Sequence, residues 1–256
     1  ARTVLKRGIQ RIRNRRFRPY VKRKHVEGLT FDLWVGDADG RDWYDLHCTD
    51  PDWPEMRFIR DHLVQPGDVV FECGAHHGCT TVMLSRWVGD GGAVVAFEPV
   101  PANCAIIEKT LALNAITNVT LERKAVGATA GTVRIDGISN SSVLPSGRGI
   151  ATPQVRLDDY AARNPTLLKL DVEGYEVEVL KGARNVLRTR PKLAIEVHAE
   201  QLTRFASSVD ELLGSIDMDA YRWWVQWTDQ EPAREYDGTP PITTRVHLFG
   251  VPTRTS

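Results

Sequence analysis

The chain has 256 residues and 33 basic against 33 acidic side chains, a formal charge of +0 that hides two opposed segments. Eleven basic residues lie between Arg2 and Lys24 with no acid before Glu27, leaving 22 basic and 33 acidic groups, a net of −11, in the remainder. A 42% hydrophobic and 26% charged composition excludes wholesale disorder. The absence of any apolar run of about 18 residues excludes a membrane-spanning helix.

A basic arm on an acidic body points to an interaction tail or a membrane-surface segment. The arm lacks the roughly 7–15-residue apolar stretch of a secretory signal, so a cytoplasmic location is expected. The four cysteines, Cys48, Cys73, Cys79 and Cys104, require no disulfide framework and read as reduced thiols. Three regions are expected: the arm (1–27), an N-terminal hairpin or cap (28–54) and a main domain (55–256). Within the arm, Leu5, Ile9 and Ile12 share one face at helical spacing. Gly28 to Val35 alternates at period two and reads as a strand. Asp39-Gly40 signals a turn into a second strand near Trp43 to His47. A short helix is predicted over Glu55 to Val64, closed by Pro66-Gly67-Asp68.

From there apolar strands alternate with helices. Val69–Cys73 is the first buried strand, Thr80–Val88 a helix, Ala93–Phe97 a second strand and Pro101–Asn114 a second helix. Val119–Leu121, Leu167–Leu170 and Leu193–Val197 supply three more strands, with a helix over Tyr175–Leu180 before the last of them. Near-continuous apolar strands separated by helices predict a parallel sheet covered on both faces. Tyr221–Trp227 and Arg245–Phe249 lack an intervening helix and read as an antiparallel pair at one edge.

In such sheets ligands sit beyond the carboxyl ends of the strands. Glu72-Cys73-Gly74-Ala75-His76-His77-Gly78 follows the first strand, and Glu98-Pro99 follows the second, with Glu98 placed 20 residues past Gly78. A glycine loop after one strand and an acid ending the next suit a nucleoside, whose ribose hydroxyls donate to the carboxylate. The bulk of Ala75, His76 and His77 disfavours a pyrophosphate, and Glu72 favours a cationic group. S-Adenosylmethionine, a sulfonium with a free amino group, answers both objections. A nucleotide-dependent, NAD(P)-type oxidoreductase on a similar sheet is the enzymatic alternative. A nucleic-acid-binding protein, or an RNA methyltransferase using the arm, is a further one, ranked low because the body is acidic.

Gly67 to Ala75 with Gly78, Phe97-Glu98-Pro99 with Asn103, and Arg156 to Tyr160 together resemble FkbM-type methyltransferases. Lys169-Leu170-Asp171-Val172-Glu173-Gly174 with Glu176, Gly182-Ala183 and Glu196-Val197-His198 extend that resemblance. It covers roughly residues 55 to 200. It implies a Rossmann-like class I methyltransferase fold: a mostly parallel seven-stranded sheet ending in an antiparallel hairpin, with helices on both faces. It also implies methyl transfer to a hydroxyl of a sugar, glycan or glycosylated metabolite. Its cofactor set maps onto Glu72, Gly74, Ala75, His76, Gly78, Glu98, Pro99, Asn103 and Asp171, and Ala125, beyond the third strand, joins the same set. Two departures stand out: Glu72 replaces the usual Asp, and His76-His77 the usual Asn-Ile, a change that a positive-φ turn tolerates.

His198, which titrates nearest neutral pH, is the expected base, with Asp171 and Glu173 beside it. Asp171, Glu196 and His198 also form a candidate divalent-metal set. Cys73, His76, His77 and Cys79 superficially offer zinc ligands, at a spacing that matches no usual pattern. Trp34 and Trp43 are placed to line an acceptor cleft, Ser141 and Ser142 lie in a candidate lid, and Glu196 completes the acceptor set. The expected acceptor is a small molecule or glycan, and residues 1–24 are expected either to meet an anionic membrane surface or to fold back on the acidic body.

Overall fold

The structure is a computed structural model; it describes residues 13–14, 16–47, 52–137, 142–145 and 149–253. The apolar amphipathic stretch of the arm, and any membrane contact it makes, lies largely outside those residues. No helix among the described residues is long and apolar enough to cross a membrane.

The central sheet has eight strands in the order β12-β11-β13-β10-β9-β3-β4-β5. Its parallel half comprises β3 (Val69–Cys73), β4 (Ala93–Phe97), β5 (Val119–Glu122), β9 (Leu167–Leu170) and β10 (Lys192–Val197). Every residue of β9 and nearly every residue of β3, β4 and β10 is buried, as strands covered on both faces must be. β11 (Tyr221–Gln226) and β13 (Val246–Pro252) form the antiparallel pair. The two-residue β12 (Arg234–Glu235) adds an edge strand to the expected seven. β13 inserts between β10 and β11, opposing Glu196 with His247.

Helices pack on both faces. α2 (Pro54–Phe58) continues into a π-helical turn, Ile59–Leu63; α3 (Cys79–Val88) and α4 (Pro101–Leu113) follow β3 and β4. Proline at the first helical position starts both α2 and α4, where its missing N–H costs no hydrogen bond. One apolar cluster around Phe71, Phe97, Leu168 and Ile195 fills one side of the sheet, and another around Met56, Ile59, Met83 and Ile107 fills the other.

The N-terminal region departs from the sequence reading. The hairpin is made by β1 (Tyr20–Val26) and β2 (Leu29–Val35), so the end of the expected basic arm is a strand. Its cations are used inside the fold: Lys24 is fully buried, Arg23 forks onto Asp32 at 2.8 and 2.9 Å, and Lys22 pairs with Asp45 at 2.7 Å. The expected second strand near Trp43 is helical instead. Asp37 caps a short turn, α1 (Ala38–Gly40), by accepting the Gly40 N–H at 2.8 Å, and the chain runs on as a π-helix over Arg41–His47. A small second sheet, in the order β6-β8-β7, went unseen in the sequence; it joins β6 (Ala125–Val126), β7 (Gly131–Ile135) and β8 (Ile150–Val155).

Candidate active site

The carboxyl ends of β3, β4, β9 and β10 meet the N-terminal cap around a cavity of ≈ 530 Å³. The loop after β3 forms its floor. Gly74 sits at φ +90°, and a Cβ there would lie 1.8 Å from the Asp171 carbonyl oxygen, so only glycine permits β3 and β9 to end this close together. The Gly74 and Ala75 amides both donate to the Phe97 carbonyl, at 2.9 and 3.2 Å, which ties the loop to the end of β4. Gly78, at φ +80°, begins α3 where a Cβ would press on Ile107 at 3.2 Å. Ala75 is buried in the core and stays off the cavity wall.

Glu72 does not do what its position suggested. Its carboxylate is fully buried, accepts the Thr80 and Thr81 hydroxyls at 2.5 Å each, and anchors the first turn of α3 from beneath. Burial pushes its pKa up against the opposing Lys169 charge and the two hydroxyls. It is not on the cavity wall, so a direct contact with a cofactor amino group is not its role.

His76 occupies the positive-φ position, φ +51°, as its replacement of Asn required. Its ring lies on the wall, hydrogen-bonds Tyr44 Oη through Nδ1 at 2.8 Å and stacks on His77 at 4.1 Å. Burial holds His76 far below the usual histidine range, with the adjacent His77 acting in the same direction. Burial likewise takes His77 down to about 4, against a hydrogen bond with Asn103. Both rings are therefore held towards the neutral form in the free protein. The zinc reading also lapses: Cys73 and Cys79 are buried in opposite core clusters.

Glu98 ends β4 with its carboxylate nearly enclosed. Oε2 accepts the His76 amide at 2.9 Å; Oε1 accepts the Val100 amide at 2.9 Å and Asn103 Nδ2 at 3.2 Å. Burial nevertheless pushes its pKa up to about 8, the three donors opposing. Two ribose hydroxyls would add donors that favour its charged form. Pro99, Ala125, Val126, Ile135 and Val143 continue the wall beside it, a largely apolar surface suited to a flat base. Glu98 with this wall thus fits the adenosyl part of S-adenosylmethionine, while Asp171 faces the same cavity from β9.

The opposite end of the cavity is charged. His198 Nδ1 lies 2.8 Å from Glu176 Oε1, an oxygen that also accepts the Gly174 amide at 3.0 Å; its Nε2 faces Glu196 at 3.5 Å and Glu173 at 3.7 Å. Burial alone would lower the pKa of His198. The Glu176 hydrogen bond and the charges of Glu196, Glu176 and Asp171 win and push it up to about 9. The expected base is therefore held towards its charged form, with carboxylates facing both ring nitrogens. Burial and the Asp171 charge push Glu196 up to about 7, against His247 and His198.

Asp171, Glu196 and His198 bring ligand atoms within 4.8 Å of one another, as the candidate metal set required. The donors fit a divalent ion poorly, because the Arg245 guanidinium already lies against Glu196, its Nη1 2.5 Å from Oε1.

Trp43, 48% exposed, stands at the mouth with Trp53 and Asp52. Trp34 does not; it lies under Lys109, whose Nζ is 4.6 Å from its ring. Ser142 is buried behind the wall, where its hydroxyl accepts from Arg204 at 3.1 Å, and Ser141 lies outside the described residues. Sequence reasoning missed Tyr44, Lys169, Arg245 and His247. The last two had a signal, basic residues at period two along a strand-like run; Tyr44 had none once its segment was read as a strand.

Residues 72–222, more than half the chain, match the sequence model of the methyltransferase FkbM domain. The chain belongs to the FkbM methyltransferase family. Among solved structures, the methyltransferase FkbM from Methylobacillus flagellatus superposes with a TM-score of 0.53 at 20% identity, covering 77% of this chain and 48% of that one. The chain thus spans about half the length of that relative. A SAM-dependent O-methyltransferase from Thermotoga maritima gives 0.49 at 15% identity over 92% of this chain and 79% of that one. Aeropyrum pernix fibrillarin with natively bound S-adenosyl-L-methionine gives 0.43 at 12% identity, over 73% and 67%. Among curated proteins none matches this chain in sequence. The Rossmann-like methyltransferase fold follows from the family and the sheet, and the oxidoreductase reading is set aside.

Proposed function

We propose that this chain is an S-adenosylmethionine-dependent O-methyltransferase whose acceptor is a hydroxyl of a sugar, a glycan or a glycosylated small molecule. The observation that carries the reading is a single cavity running from Glu98 and the apolar wall of β6 and β7, over Gly74, to Asp171 and Glu196 and out past Trp43. S-Adenosylmethionine supplies an electrophilic methyl group. The chain's own residues supply placement: Glu98 receives ribose hydroxyls, the loop after β3 leaves room for the backbone of the cofactor, and Asp171 faces its positively charged end. Alignment of this kind can be worth about 7–11 kcal/mol. The flat faces of Trp43 and Trp53, with Asp52, Asp229 and Gln230 among the neighbouring polar groups, suit a pyranose that is apolar on its faces and polar at its rim.

The test is calorimetric binding of S-adenosylmethionine, followed by transfer of a labelled methyl group to parallel pools of glycans, RNA and protein. Micromolar binding and label in alkali-stable ethers of the glycan pool are expected. No binding would overturn the cofactor assignment, and label confined to RNA or protein would overturn the acceptor class.

A further inference from the structure

The reaction needs somewhere for the acceptor's proton to go, and both ring nitrogens of His198 already face carboxylates, Nδ1 Glu176 at 2.8 Å and Nε2 Glu196 at 3.5 Å and Glu173 at 3.7 Å. Two other groups at the charged end of the cavity have unspent bonding capacity. The Arg245 hydrogen bond to Glu196 and the nearest approach of His198 both fall on Oε1, at 2.5 and 3.5 Å; no hydrogen bond to Oε2 is seen among the described residues, although the side chain lines the cavity. Lys169 lies on the adjacent strand, its backbone paired with Ala194, and its ammonium is almost fully buried at the cavity wall. Its nearest carboxylate among the described residues is Glu55, at 3.6 Å, beyond normal hydrogen-bond length for a group with three donors.

We propose that Glu196 Oε2 and Lys169 Nζ together form the acceptor-hydroxyl site, Glu196 accepting the hydroxyl proton and Lys169 donating to the oxygen as it becomes nucleophilic. This rests on the cofactor reading above. In the step the acceptor O–H bond breaks and its proton passes to Glu196. The freed oxygen pair forms the new O–CH₃ bond while the S–CH₃ bond breaks with its pair returning to sulfur; Lys169 keeps its proton throughout. Lys169 suits that part because it remains an ammonium. Burial would favour the neutral amine, but the charges of Glu55, Asp171, Glu72 and Glu196 outweigh it and raise its pKa. Glu196 suits its part because Arg245 and His198 hold one oxygen and orient the other. A carboxylate and an ammonium that converge on one oxygen provide a proton acceptor and a fixed counter-charge for the forming alkoxide, neither needing to reorganise during the step.

An experiment that needs no acceptor can test this. Sinefungin carries an ammonium on carbon where S-adenosylmethionine carries the methyl on sulfur, so its donors point to where the acceptor oxygen would sit. Both ligands are cationic there, and long-range charge effects cancel in the ratio of their dissociation constants. Glu196→Gln, nearly isosteric, should weaken sinefungin about 10-fold relative to S-adenosylmethionine, equivalent to about 1.4 kcal/mol. Lys169→Met should shift the ratio several-fold the other way by removing an adjacent ammonium. S-Adenosylmethionine affinity within a few-fold of wild type certifies that each variant is folded; if Lys169→Met fails that check, Glu196→Gln decides alone. Unchanged ratios with intact S-adenosylmethionine binding would overturn this inference only. Failure of the wild type to bind either ligand would instead bring down the cofactor reading, and this one with it.

Discussion

Glu98 offers the sharpest test of the cofactor assignment, because its state should differ between the free and the loaded protein. With its pKa pushed up to about 8 by burial, its free carboxyl is largely protonated at pH 7. Ribose hydroxyls donate to the charged form and so select it. Binding must then release about 0.9 of a proton at pH 7, and affinity must rise with pH as the free carboxyl ionises on its own. Between pH 7.0 and 8.5 the ionised fraction goes from roughly one-eleventh to three-quarters, so the association constant should rise roughly eightfold. Calorimetry of S-adenosylhomocysteine in buffers of different ionisation enthalpy reads both quantities. Glu98→Gln removes the titration and points an amide N–H₂ towards the His76 amide or the Val100 amide, which Glu98 now accepts at 2.9 Å. That variant should bind about 10- to 150-fold more weakly at pH 8.5, the range of one hydrogen bond to a charged group, with no pH dependence from this site. Wild-type affinity that is flat from pH 7.0 to 8.5, or proton release that survives Glu98→Gln, would refute the ribose role.

Gly74→Ala should cost about 3 kcal/mol or more in urea unfolding, since it combines a φ of +90° with backbone 1.8 Å from the new methyl; a loss below about 1 kcal/mol would mean that the ends of β3 and β9 can part. His198 has a folded pKa raised to about 9, so its contribution, up to about 3 kcal/mol, is fully present below about pH 6.5 and is lost as pH rises through 9. The stability gap between wild type and His198→Gln should therefore shrink between pH 7 and 10, and a constant gap would contradict an imidazolium at this position. Trp43→Ala should change stability by no more than about 0.5 kcal/mol, as the side chain is half exposed, yet raise KM for a sugar acceptor at unchanged kcat. An unaltered KM would remove Trp43 from the acceptor wall.

The parallel strands were legible because they are apolar on both faces, and the acids that end them, Glu98, Asp171 and Glu196, were legible for the same reason: a carboxylate closing an apolar run lies at the rim where ligands bind. What alternation could not reveal was which face a residue takes when both are buried. Glu72 lies between Phe71 and Cys73 in such a strand, and its side is decided by Thr80 and Thr81, eight and nine residues on. β1 was hidden by its own cations, since Lys22, Arg23 and Lys24 read as an arm until Asp45 and Asp32 are seen opposite the first two. The helical segment after Asp37 looked like a hairpin because Asp39-Gly40 is a turn signal, whereas Asp37 uses Gly40 as the start of a helix. The surroundings of His198 were hidden for a related reason. A histidine's reference pKa describes it in water, and this one is held by a fully buried Glu176 that lies 22 residues away in sequence.

The two ends of the cavity have different origins in the chain. Glu98, Asp171 and Glu196 fall within residues 72–222, the segment that matches the family, but Arg245 and His247 lie beyond it. They reach the site through topology. An antiparallel strand beside a parallel one brings its first residues to the neighbour's carboxyl end, so the start of β13 arrives beside Glu196. There Arg245 bridges Glu196 and Asp229, and His247 Nδ1 stands 3.7 Å from Glu55 on α2. The cofactor end is thus built from the parallel strands and the loops that follow them. At the other end Glu196 and Lys169 also come from parallel strands, but the further charge beside them comes from the returning C-terminal strand and from α2, elements that can change side chains without disturbing the hydrogen bonds around Gly74 and Glu98. Acceptor preference is therefore expected to follow substitutions at Arg245, His247 and Glu55, while S-adenosylmethionine affinity follows those at Glu98 and Gly74.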